Sequence, residues 1–211
     1  MRKYRLKPAP AYCYISKAAD AMSQPLSYIS RQMIAGVFDS QDRGDKDLTV
    51  CFTGHRIIPP QDRPALAERL DTLLNTLYDH GYRRFISGMA VGFDVLAAER
   101  VVALKERRPD VRLIIAIPCY EQWGHWTEQD CKRYEHIIYN TDQLKMLSPV
   151  YYDGCMMARN RYMVDNSAIC LCYLTHSRGG TMSTVAYAMK NDCPVLNLAM
   201  PDACEAFIRQ G

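Results

Sequence analysis

The chain has 211 residues, enough for one sizeable domain or one domain with an appendage, and its 48% hydrophobic and 23% charged residues suit an ordinary globular protein. A net charge of +3 is too mild to imply nucleic acid by itself, because phosphate binding needs basic residues clustered on one surface. The basic start (Arg2, Lys3, Arg5, Lys7) is not followed by a continuous apolar run, so neither a signal peptide nor a membrane span is expected, and the cytoplasm is the expected location. The nine cysteines contain no CxxC pair. "CLC" (Cys170, Cys172) lies in an apolar run, which predicts buried reduced thiols and no metal site.

Residues 1–46 differ in character from the rest. They read as two short helices broken near Pro25 and a polar "DSQDRGDKD" linker, an N-terminal helical extension ahead of a domain over 47–211. From Asp47 the pattern is regular. "LTVCFTG" is a short apolar run ending in Gly54, and "RPALAERLDTLLNTLYDHG" has helical spacing with Pro64 in its first turn and Gly81 as its stop. "RRFISG" is strand-like, "VLAAERVVALKERR" helical, and "VRLIIAIP" a strand apolar enough to be buried on both faces. "TEQDCKRYEHIIYN" follows as a helix and "QLKMLS" as a weak strand. "CMMARNRYMVDNS" is a helix, "AICLCYL" a strand, "TMSTVAYAMKN" a helix and "PVLNL" a sixth strand. Such alternation predicts an α/β, Rossmann-like, doubly wound and mostly parallel six-stranded sheet with helices on both faces.

In such sheets ligands bind beyond the carboxyl ends of the strands, so the segments that follow each strand share one rim. These are "TGHR" (Thr53, Gly54, His55, Arg56), "SGMAVGFD" (Ser87, Gly88, Gly92, Asp94), "PCYEQWGHW", and "THSRGG" running into Thr181 and Thr184. Glycines at a helix start let an anion approach the free N–H groups there, and the helix dipole favours it. Gly92 and the pair Gly179–Gly180 are placed for that, with hydroxyls of Thr181, Ser183 and Thr184 nearby, and Arg56 or Arg178 supplies a fork for phosphate oxygens. Asp94 would repel phosphate; it suits a helix cap, or an acceptor for a ribose hydroxyl or base amine. Each of these residues has a structural reading as well. The glycines serve tight turns and close helix–strand packing, His55 either contacts phosphate or is a half-exposed structural histidine, and His80 sits in the last turn of its helix, where a cation suits the dipole. Trp123 and Trp126 either stack on a base or cover the sheet edge. On the helix "ARNRYMVDNS", Arg159 shares a face with Met163 and Arg161 with Asp165, and any of these arginines is a cleft candidate or a surface pair.

"ISGMAVGFDVLAAERVVAL" resembles the Ser-Gly-x-Ala-x-Gly-x-Asp segment of the DNA-processing protein A (Smf) family. "RGGTMSTVAYAM" resembles that family's later glycine motif and the Gly-Gly helix start of the LOG phosphoribohydrolases. Together with "TGHR" and "PCYEQ", these place the resemblance in the SLOG superfamily, closest to small bacterial YpsA-like members, over roughly residues 47–200. The resemblance implies a Rossmann-like domain that binds nucleotides, their derivatives or nucleic acid through Thr53, Gly54, Arg56, Ser87, Gly88, Gly92, Asp94, Gly179, Gly180, Thr181 and Thr184. Where LOG enzymes carry their catalytic glutamate this chain has Ala186, so any hydrolysis falls to Asp94 or Glu99, the carboxylates near the second loop. Three readings follow. The first is binding or sensing of a nucleotide-derived small molecule, with no cofactor specified. The second is hydrolysis of a nucleotide N-glycosidic or phosphate bond, and the third is single-stranded nucleic-acid binding. Homo-oligomer formation stays open, and a membrane partner is not expected.

Overall fold

The computed structural model describes residues 46–119 and 127–210; the expected N-terminal helices and the tryptophans Trp123 and Trp126 lie outside the described residues. A single 3-10 turn at Lys46–Leu48 leads into β1 (Thr49–Gly54). There follow α1 (Arg63–Asp79), β2 (Arg84–Ser87), α2 (Phe93–Lys105), β3 (Arg112–Ile117) and α3 (Glu128–Tyr139). The chain continues through β4 (Gln143–Met146), α4 (Cys155–Asp165), β5 (Ile169–Tyr173), α5 (Gly180–Lys190), β6 (Val195–Asn197) and α6 (Pro201–Gln210).

All six strands are parallel, in the order β4-β3-β2-β1-β5-β6. The chain steps outward from β1 to β4, then crosses back to place β5 on the free side of β1. That reversal puts the switch point between β1 and β5, where Thr53 pairs with Cys172 and Gly54 with Tyr173. Successive strand residues point to opposite faces, and both faces are covered. Val50, Phe52, Phe85, Leu113, Ile115 and Leu171 join Leu70, Leu73 and Leu77 of α1 and Val101 of α2 in the larger cluster. Their neighbours Cys51, Ile86, Ile114 and Cys170 pack against Met163 and Val164 of α4 and Ala188 of α5. Burial on both faces explains the uninterrupted apolar runs of β3 and β5. The architecture is the expected Rossmann-like, doubly wound α/β sheet.

Local signals set the helix ends. α1 has proline in its first turn, and His80 closes it by donating from Nδ1 to the Thr76 carbonyl (2.6 Å), with Gly81 following at φ +93°. The Thr127 hydroxyl caps α3 by accepting from the Asp130 N–H (3.1 Å). One element lies beyond the expected series. α6 starts on Pro201, carries Asp202 in its first turn and Arg209 in its last, and lays Cys204, Phe207 and Ile208 against the core on the α1 side.

Candidate functional site

Five rim glycines divide by what surrounds them. A Cβ on Gly54 would lie 2.5 Å from the ring of Phe93, and on Gly88 it would lie 2.6 Å from Cζ of Arg159. On Gly92 (φ +101°) it would lie 2.5 Å from the His55 carbonyl oxygen. These three let one segment lie directly on another. At Gly179 and Gly180 a Cβ meets nothing within 4 Å. Gly179, at φ +87°, starts α5 without a side-chain cap, and the Ser183 N–H takes the Gly179 carbonyl (3.1 Å). The N–H groups of Gly180, Thr181 and Met182 therefore have no acceptor within the helix. The positive end of α5 opens to solvent beside the switch point, with Arg178 and Arg56 exposed on the loops of that rim.

The second loop is tied down from within. The buried Ser87 hydroxyl donates to the Asp94 carbonyl (2.9 Å) and accepts from the Met89 N–H (3.1 Å), and Met89 is held at φ +54°. The Asp94 carboxylate is buried and accepts from the backbone N–H groups of Ala90 and Gly54, joining the first loop to the second. Burial pushes its pKa up to about 6, against the pull of Arg159, those two N–H groups and Arg56.

From Gly88 a polar chain runs across to α5. Arg159, only 4% exposed, donates from Nη1 to the Gly88 carbonyl and from Nε to Asn160 Oδ1 (2.8 Å). Asn160 Nδ2 donates to Thr184 Oγ1 (2.7 Å), and that hydroxyl donates to the Gly180 carbonyl (2.9 Å). Burial opposes the Arg159 charge, and Asp94 supports it through space. Sequence reasoning leaves Arg159 among several candidate arginines and gives Asn160 no role. The available signal is position: Arg159 stands four residues after the buried Cys155 and four before the buried Met163, on the helix face that enters the core.

Of the other expected residues, Thr53, Thr181 and Thr184 are buried at the rim, and His55 is buried between the first loop and the loop after β5. Glu99 is engaged elsewhere. Its carboxylate takes a bidentate pair from Arg133 of α3 (2.5 and 2.7 Å) and faces Arg63 at 3.7 Å, partners it does not share with Asp94. Among the described residues no group of three or more His, Cys, Asp or Glu could hold a metal ion, and no helix is long and apolar enough to cross a membrane. The eight cysteines among them are free thiols, seven of them buried.

The family model described as the YspA SLOG family (YpsA) matches residues 61–197. The chain belongs to this family. Curated relatives of this YpsA-family chain include a UPF0398 protein of Bacillus pumilus, 25% identical over 149 residues, which cover 67% of this chain and 80% of that one. YpsA of Bacillus subtilis is 24% identical over 147 residues, 66% of this chain and 79% of its own length. Among solved structures, the fold is shared with DNA processing protein A from Helicobacter pylori, in a structure concerned with its single-stranded DNA binding mode. There the TM-score is 0.53 and the identity 21%, with 72% of this chain and 65% of that chain covered. The Streptococcus pneumoniae protein gives TM-score 0.53 at 20% identity over 79% and 57% of the two chains. The chain thus spans under two thirds of either solved chain.

Proposed function

We propose that this chain binds a phosphate-bearing, nucleotide-derived small molecule at the switch-point rim, with the anion against the start of α5. One observation carries the reading: at the crevice where doubly wound sheets bind ligands, α5 begins with three N–H groups lacking a helical acceptor and two glycines open to solvent. Arg56 and Arg178 on the flanking loops add positive charge from the two sides. Binding rather than hydrolysis is the activity inferred. Position 186 holds alanine, Glu99 is taken by Arg133 and Arg63, and the Asp94 carboxylate already accepts from two backbone N–H groups beneath the loops. A thermal-shift screen of nucleotides, cyclic nucleotides, ADP-ribose and dinucleotides tests this. A ligand at about a hundred times its Kd adds roughly 2.7 kcal/mol, and Gly180→Val, whose side chain enters open space, is expected to stay folded and lose that shift.

A second reading is single-stranded nucleic-acid binding. Val150, Tyr151 and Tyr152, in the loop that leads into α4 at the same rim, are 66%, 56% and 46% exposed and offer stacking surface for bases. The shared fold with the Helicobacter pylori protein, described with its single-stranded DNA binding mode, adds context for it. Fluorescence anisotropy with a labelled single strand across a salt series separates the two, because strand binding weakens steeply as salt rises.

A further inference from the structure

His55 is bonded at three points. Its N–H donates to the Tyr173 carbonyl (3.2 Å), its carbonyl accepts from the Phe93 N–H (3.1 Å), and its ring Nε2 accepts from the Thr175 N–H (2.9 Å). A backbone N–H only donates, so Nε2 has to hold a lone pair and the ring proton stays on Nδ1. The His176 ring lies nearly parallel to it, with centroids 3.9 Å apart and planes at 21°. We propose that His55 is a pH-sensitive latch on the loop after β5: protonating its ring turns Nε2 into a second donor facing the Thr175 N–H and frees residues 175–179, which lead into the open end of α5.

The surroundings offer an imidazolium little help. The Tyr173 ring meets His55 edge-on at 6.2 Å, and its hydroxyl is engaged by Asp62, just before α1, with Arg69 in the second turn of that helix nearby. Of the nearby buried charges, Asp94 of α2 and Arg159 of α4 act on each other, with Arg56 beside them. Burial lowers the His55 pKa from its ordinary value of 6.5, and His176, the titratable group that acts on it, lowers it further. The consequence for binding, weaker hold on an anion at α5 in acid, rests on the function proposed above; the latch itself does not.

The test needs no ligand, so its outcome is separate from that of the ligand screen. In the full chain, the His55 ring nitrogens and the amide exchange of residues 175–179 are followed by NMR between pH 7.5 and 5. The His55 midpoint is expected below 6.5. Between the ordinary value of 6.5 and that midpoint the Thr175 protection factor should drop by up to about tenfold per pH unit, as for one linked proton, and level off below it, while Leu171 in β5 keeps its protection. His55→Gln, whose carbonyl accepts without titrating, is expected to remove the pH step, and His176→Ala to raise the midpoint. A midpoint at or above 6.5, Thr175 protection that does not follow His55, or a step unchanged in both variants overturns the latch.

Discussion

Gly88→Ala tests what the glycine of the second loop is for. The added Cβ would stand 2.6 Å from Cζ and 2.9 Å from Nε of Arg159, well inside contact distance, and the obstacle is a buried guanidinium held by two hydrogen bonds. Either the core accepts overpacking, at about 1–3 kcal/mol, or the guanidinium shifts and loses a charge-assisted bond to the Gly88 carbonyl, at about 1.5–3 kcal/mol. The two are alternatives and the cheaper one sets the cost, so the expected loss is about 1–3 kcal/mol. At about 2–4 °C per kcal/mol for a domain of this size, melting falls by roughly 2–12 °C. Urea unfolding followed by circular dichroism reads the difference directly. In an Arg159→Ala background the obstacle is gone, and the cost of Gly88→Ala is expected to shrink by at least about 1 kcal/mol. Gly180→Ala, which enters open space, should stay within about 0.5 kcal/mol of wild type. Equal costs of Gly88→Ala in the two backgrounds would show that Arg159 does not occupy the space above Gly88.

Asp94 predicts a pH dependence of definite sign. Its folded pKa of about 6 lies above the ordinary 3.8, so the folded state holds the extra proton in between. Its contribution to stability is full below 3.8 and is lost as the pH rises through about 6. Asp94→Asn should flatten that stretch of the stability curve measured by urea titration; an unchanged slope would place the titration elsewhere. Glu99→Gln breaks the bidentate pair with Arg133 and is expected to cost about 1–2 kcal/mol, with no effect on ligand shifts at the rim. A ligand shift that disappears in folded Glu99→Gln would return this carboxylate to the site.

Much of the fold was legible because the period of apolar residues changes where strand gives way to helix. "ICLCY" has no polar alternation because both of its faces are covered. α6 lies outside the expected series although Pro201, Asp202 and the spacing of Cys204, Phe207 and Ile208 carry a helix signal. At the rim, the order of strands and helices brings the candidate residues to one end of the sheet, but local pattern could not divide the glycines. Gly88 and Gly180 look alike in one dimension. Only the fold brings the Arg159 guanidinium, 71 residues away, onto the first and leaves the second bare. Arg159 and His55 take their roles from partners on other elements, Gly88 and Thr175, which local spacing does not encode.

The proposed function stands on a phosphate seated at the start of α5. Its most direct measurement is an amide-shift titration of the full chain with the strongest nucleotide-type ligand from the thermal-shift screen, run beside Gly180→Val. The largest changes are expected at the amides of Gly180, Thr181 and Met182, with their loss in the folded variant. A saturating ligand that leaves those three amides in place, or that binds Gly180→Val as tightly as wild type, would contradict it.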